Sequence, residues 1–129
     1  MRVYFSHKIR GELGMKATAT QMKENCDAAI KVANELRKAL PGIEFYVPGE
    51  HEDFVQAGIN LGLLKETEVL AIDCLIMDVC DAAVIYVPGD VLQGGRKVEA
   101  VHGKYMRIPT YQFRQTIEAI EWLAKLQMR

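Results

Sequence analysis

Ala82-Ala83-Val84-Ile85-Tyr86-Val87, closed by Pro88-Gly89, is the stretch on which the fold turns. Six apolar residues in an unbroken run fit a strand covered on both faces, the usual situation in a parallel sheet. Parallel strands require crossover helices, and the flanking sequence supplies them. Upstream, the segment from about Phe54 to Cys80 reads as mostly helical, with a break expected near Gly58–Gly62. Its second half sets Leu64, Val69, Leu70, Ile72, Leu75, Ile76 and Val79 on one broad face. Further back, Ile43 to Val47 reads as a strand ended by Pro48-Gly49. Before it, Met22, Cys26, Ala29, Ile30, Ala33, Leu36 and Leu40 recur at helical spacing, with Thr20 as the expected N-cap and Pro41-Gly42 as the stop. The chain opens on a strand, Arg2–Ser6, followed by a polar loop through Gly11 and Gly14. Downstream of the central run, a polar loop to Gly95 leads to a helix over roughly 96–105. A strand around Ile108–Phe113 follows, and then an amphipathic helix with Ile117, Ile120, Leu123 and Ala124.

The order βαβαβαβα predicts one α/β domain spanning residues 1–129: a three-layer, flavodoxin/Rossmann-like sandwich, its mainly parallel sheet carrying helices on both faces. Ligands in such sheets bind outside the carboxyl ends of the strands, where strand order reverses. That rule points to the loops 6–14, 48–53, 88–96 and 110–114. Tyr46-Val47-Pro48-Gly49-Glu50 and Tyr86-Val87-Pro88-Gly89-Asp90 end two strands in the same way, either as a shared feature of the site or simply as two strand-stopping turns.

Composition narrows the class. Of 129 residues, 16 are Lys or Arg and 17 are Asp or Glu, a net charge of −1. That balance gives no general electrostatic drive toward nucleic acid polymers or anionic membranes. Half of the residues are hydrophobic, with only four Pro and ten Gly, which argues against disorder. No apolar run approaches the ~18 residues of a membrane span, and Met1-Arg2-Val3-Tyr4-Phe5 holds too short an apolar stretch for a signal peptide. A cytoplasmic protein is expected. Cys26, Cys74 and Cys80, odd in number and in apolar surroundings, fit buried small hydrophobes.

Two loops concentrate candidate binding chemistry. His7, Lys8 and Arg10 follow the first strand, with Ile9 and Gly11 beside them. Gln93-Gly94-Gly95-Arg96-Lys97-Val98-Glu99 opens the helix after the third. Paired glycines at a helix start let backbone N–H groups approach an anion, although neither a Walker A loop nor a dinucleotide fingerprint is present. Glu99, in the first turns of its helix, is placed where the helix dipole favours an ionised carboxylate. Asp73 interrupts an apolar stretch, so its carboxylate must find partners or neutralise. His51-Glu52-Asp53 has metal-ligand types, but adjacent loop residues seldom converge on one ion, and no metal is expected. His102 is expected on the surface of its helix.

At these residues the chain resembles the nucleoside 2-deoxyribosyltransferases, particularly the branch that hydrolyses 2′-deoxynucleoside 5′-monophosphates. That branch opens with Tyr-Phe-Cys-Gly-Ser-Ile-Arg-Gly; here the stretch is Tyr4-Phe5-Ser6-His7-Lys8-Ile9-Arg10-Gly11. Asp73 and Asp81 repeat the family's pair of acids eight residues apart before the apolar third strand. Gly94 to Ala100 resembles its small-residue loop and helix-opening Glu. The resemblance implies that Glu99 attacks the anomeric carbon to form a covalent glycosyl-enzyme, with Asp73 as second carboxylate and Tyr4 assisting. It further implies that Arg10 and the Gly94-Gly95 backbone hold a 5′-phosphate, that no cofactor is needed, and that copies assemble into dimers or larger homo-oligomers. The chain differs from the pattern at His7, where the family has glycine, at Lys8, where it has a small hydroxyl residue, and at Gln93, where it has serine. Lys8, Arg10, Arg96 and Lys97 together favour a nucleotide over a nucleoside. The alternative is a non-catalytic nucleotide-binding or sensing domain of the same fold.

Overall fold

The computed structural model describes residues 1–129, apart from the side chains of Glu12, Leu13 and Met15. Among the described residues, strands β1 (Arg2–Ser6), β2 (Glu44–Tyr46), β3 (Ala82–Tyr86) and β4 (Thr110–Phe113) alternate with helices. The helices are α1 (Ala19–Ala39), α2 (Glu52–Asn60), α3 (Glu66–Asp78), α4 (Gly94–Tyr105) and α5 (Thr116–Gln127), with 3-10 turns at Gly11–Lys16 and Pro48–His51. The sheet order is β2-β1-β3-β4 and every pairing is parallel. Val3 lies opposite both Phe45 and Ala82, and Val84 opposite Tyr111. Strand order therefore reverses between β1 and β3.

The two-residue period of the strands sorts their side chains between two helical layers. Val3, Phe5, Ala82 and Val84 pack with Ala29, Ala33 and Leu36 of α1 and with Ala119 and Leu123 of α5. Tyr4 and Ala83 point the other way, onto Met77 of α3 and Cys80. Helix α4 packs beside α3 on that side. Ala82 to Ile85 are all buried, as the apolar run predicts. The three-layer α/β sandwich is the fold of this chain.

The differences are local and have physical causes. Helix α1 is capped by Thr18, not Thr20. The Thr18 hydroxyl accepts from the Gln21 N–H at 3.1 Å while the Gln21 side chain accepts from the Thr18 N–H at 2.8 Å, a reciprocal capping box lying before the first apolar position. The break expected near Gly58–Gly62 is real: Gly62 takes φ +73° between α2 and α3, and the Gly58 carbonyl accepts from the N–H groups of Leu63 and Leu64. The Leu64 side chain covers Gly58, where a Cβ would stand 2.6 Å from its Cδ1. Helix α4 begins at Gly94, taking in the glycine pair that the 96–105 reading left outside. Strands β2 and β4 are shorter than expected, and Ile43 and Val47 are buried outside the ladder. Among the described residues, no helix is long and apolar enough to cross a membrane.

Candidate functional site

A cavity of about 380 Å³ opens at the carboxyl ends of β1 and β3, the place where strand order reverses. Three of the four expected loops line it, through His7–Gly11, through Pro48 and Glu52, and through Gln93–Arg96. The fourth, 110–114, does not. Gln112 and Arg114 instead border a separate hollow of about 210 Å³ with Val87, Gly89 and Asp90. Helix α3 completes the wall with Glu66, Val69, Leu70 and Asp73, a spacing that places all four on one helical stripe.

Glu99 is the innermost carboxylate, only 4% exposed. Because β1 alternates, Tyr4 and Ser6 both face it. The Tyr4 hydroxyl donates to Glu99 Oε2, and Ser6 Oγ donates to Oε1 at 2.8 Å. Burial is the main cause that raises the Glu99 carboxyl from its ordinary 4.5 to about 7; the two hydroxyl bonds pull it back, and the Asp73 charge lifts it further. The expectation that the helix dipole would ionise Glu99 is corrected here. It is the sixth residue of α4, beyond the first turn where the dipole acts, and desolvation outweighs it. Asp73, half-buried on α3, is pushed up to about 6, first by burial and then by the Glu52 charge. Glu52 is itself raised by burial although Gln56 Nε2 donates to it at 2.7 Å. The Tyr4 phenol is held well above its usual range by burial and then by the Glu99 and Asp73 charges, so it remains a donor.

The cations are arranged differently from the expectation. His7 lines the cavity but is not a cation: burial lowers it to about 4. Its Nε2 accepts from the Gly49 N–H at 2.9 Å, which leaves Nδ1, 2.9 Å from the Lys8 carbonyl, to carry the proton. The neutral ring thereby ties the loop after β1 to the turn after β2. Arg96 is buried, and its Nη atoms reach both Asp90 oxygens, at 2.6 and 3.2 Å, and the Tyr86 and Val91 carbonyls. It braces the 86–91 loop, and its hydrogen bond is the main reason the Asp90 carboxyl lies below its usual range. Lys97 is exposed and outside the cavity wall. Arg10 places Nε and Nη2 on Glu66 Oε1. Lys8 sits with Nζ 4.0 Å from Asp90. What remains at that end is Lys8 beside the start of α4. There Gln93 makes no side-chain cap, Gly94 takes φ +61°, and Gly94 and Gly95 form the wall. Uncapped first-turn N–H groups suit an anion. Ile9 and Gly11 also line the cavity, and the Ile9 carbonyl is anchored by Asn25 Nδ2 at 2.8 Å.

The structure brings Glu99, Asp73, His7, Lys8, Ile9, Arg10, Gly11, Gln93, Gly94 and Gly95 to one cavity, with Tyr4 joined to it through Glu99. The repeated Tyr-Val-Pro-Gly turns are not equivalent. Tyr46 stacks on Tyr4 and His51, whereas Tyr86 packs against Phe5 and Phe113 in the other layer. His102 lies at the surface as expected, partly covered, with Nε2 2.6 Å from Asp78 Oδ1 across the α3–α4 contact. Cys26 and Cys80 are buried and Cys74 half-buried, all as free thiols. Sequence reasoning missed Ser6, Glu52 and Glu66. Ser6 lies two residues from Tyr4 on one strand, and Glu66 begins the stripe that ends at Asp73, so both periodicities held the signal. Comparison with protein-family models, curated proteins and solved structures finds no match to this chain.

Proposed function

We propose that this chain cleaves the N-glycosidic bond of a (deoxy)nucleoside 5′-monophosphate. The supporting observation is the Glu99 carboxylate, buried at the cavity wall with each oxygen held by a hydroxyl from β1, while Asp73 faces the same space. In this reading Glu99 attacks as the carboxylate at the anomeric carbon while the bond to the base breaks, and the departing nitrogen takes a proton from Asp73; with Glu99 near 7 and Asp73 near 6, this ionised–protonated arrangement is the minor form of the pair. The resulting glycosyl ester is resolved by water, whose proton passes to Asp73 as the sugar phosphate and the Glu99 carboxylate are released, or by a second base. The arrangement parallels retaining glycosidases, in which two carboxyl groups serve one oxocarbenium-like transition state. Lys8 and the start of α4 would take the 5′-phosphate. A panel of deoxynucleotides, ribonucleotides and nucleosides, with and without an acceptor base, is the direct test. Free or exchanged base, lost in Glu99→Ala, is the expected result, and no cleavage of any member refutes it.

The engagement of Arg10 by Glu66 and of Arg96 by Asp90 favours a second reading, a nucleotide-binding domain without turnover. Stoichiometric nucleotide binding by calorimetry with no released base would establish that one. We also propose self-association. Ile72 and Leu75 on α3, Val79 just past its end, and Val98, Val101 and Tyr105 on α4 are exposed apolar residues around two packed helices, and Val98 also lines the cavity. Sedimentation at micromolar concentration should show a dimer or larger species; a monomer overturns this.

A further inference from the structure

We infer that Ser6 is a positioning residue that favours the ionised form of Glu99 and aims it into the cavity, and that its hydroxyl, more than the helix around Glu99, makes the carboxylate usable as a nucleophile near neutral pH. The chemical consequence rests on the reading of Glu99 given above; the Ser6–Glu99 interaction itself does not. Ser6 is fully buried at the carboxyl end of β1, and its Oγ lies 2.8 Å from Glu99 Oε1. A buried hydroxyl with no role is normally bonded to backbone nearby in sequence; this one reaches a carboxylate 93 residues away. Tyr4 occupies Oε2, so Ser6 is the sole partner of Oε1 among the described residues, and together they fork the carboxylate in one orientation.

The groups around Glu99 leave this job to the two hydroxyls. From α3 it faces Asp73 and Cys74, from β1 Tyr4, and from β2 Tyr46. None of these is a cation. The arginines that line the same cavity are spent elsewhere, Arg10 on Glu66 and Arg96 on Asp90, and Lys8 leans toward Asp90. Glu99 is in no ion pair among the described residues, so its negative charge is met only by O–H donors. A hydrogen bond to a charged group is stronger than one between neutral partners, so losing Ser6 Oγ moves the protonation equilibrium of Glu99 by about one pH unit.

The experiment uses the full chain as Ser6→Ala and Ser6→Cys, the second keeping a weaker donor of similar shape. Two readouts are taken. The first is the titration of the Glu99 carboxyl by carbon NMR, assigned by its absence in Glu99→Gln. Ser6→Ala should raise the midpoint by about one pH unit and Ser6→Cys by less. The second is the rate of base release. Ser6→Ala should be about tenfold slower at pH 6 and equal to the unmodified protein at pH 9, where Glu99 is ionised in both. An unmoved NMR midpoint, or a rate that falls by the same factor at every pH, overturns the inference and makes Ser6 a packing residue. If no nucleotide is cleaved, the proposed activity fails on its own account, and the NMR midpoint still decides whether Ser6 holds the charge.

Discussion

Glu99→Gln should disable the protein and stabilise it at the same time, with a pH dependence that identifies the cause. Burial raises the Glu99 carboxyl from 4.5 to about 7. A carboxyl that holds its proton more tightly when folded costs nothing below its unfolded value. It weakens the fold progressively as pH rises through the window between the two values, and exerts its whole effect above the upper one. Each pH unit corresponds to about 1.4 kcal/mol, so the full effect approaches about 3 kcal/mol and most of it develops between pH 5 and 8.5. Glutamine has the same shape and no charge, and its amide can still accept from Tyr4 and donate to Ser6 Oγ. Thermal unfolding of both proteins at the two pH values is the assay. Near pH 5 the melting temperatures should lie close together. At pH 8.5 the variant should melt higher by about 12 °C, taking roughly 4 °C per kcal/mol for a chain of this size. Its rate of base release should fall by several orders of magnitude. A variant that is destabilised equally at both pH values would refute the reasoning, because Glu99 would then be an ordinary hydrogen-bonded carboxylate and not a desolvated charge.

The rate against pH should follow a bell with apparent limbs near pH 6 and 7, because Asp73 and Glu99 titrate there and interact; a rate that climbs to a plateau above pH 8 would remove Asp73 as proton donor. Lys8→Ala should raise the KM of a 5′-monophosphate at least tenfold and leave that of the matching nucleoside within twofold, measured as initial rates on both, since a cation on the cavity wall gains only from the charged substrate. Gly49→Ala should cost about 1–3 kcal/mol in urea unfolding, since a Cβ there would stand 2.9 Å from His7 Cε1 and 3.1 Å from Cys26 Cβ. Thr18→Ala should cost about 1 kcal/mol in the same assay through loss of the α1 cap.

The fold was legible because its evidence is local. The run Ala82–Val87 needs two covered faces whatever surrounds it, and each helix carries its own 3.6-residue stripe. The errors fall where a local rule has two solutions, as at α1, where Thr20 and Thr18 both precede the apolar pattern and only the reciprocal bond to Gln21 separates them. Asp73 was legible for a related reason: a carboxylate on an apolar stretch is anomalous without knowing its neighbours. Glu99 carries no such anomaly, because acids near helix starts are common, and only the family resemblance gave it a role. What such a reading cannot supply is the protonation that follows from burial. Glu99 was expected to be ionised by its helix, and the structure gives burial the larger say.

The cations show why the same reasoning fails for a binding cradle. Four basic residues in two loops suggest a strongly positive site, but the potential at a cavity depends on where each charge is neutralised. Arg10 meets Glu66, 56 residues away, and Arg96 meets Asp90 one loop back. His7 is kept neutral by the layer that covers it. Each arginine so held braces a loop of the cavity wall, and a charge used for bracing is largely withdrawn from the ligand. The feature left for an anion is then the geometric one: Lys8 next to an uncapped helix start whose first residue, Gly94, has open space where a Cβ would stand. A phosphate at that end would be held chiefly by backbone N–H groups, with Lys8 as a single point charge. Its affinity should therefore depend less on salt than four exposed cations would make it.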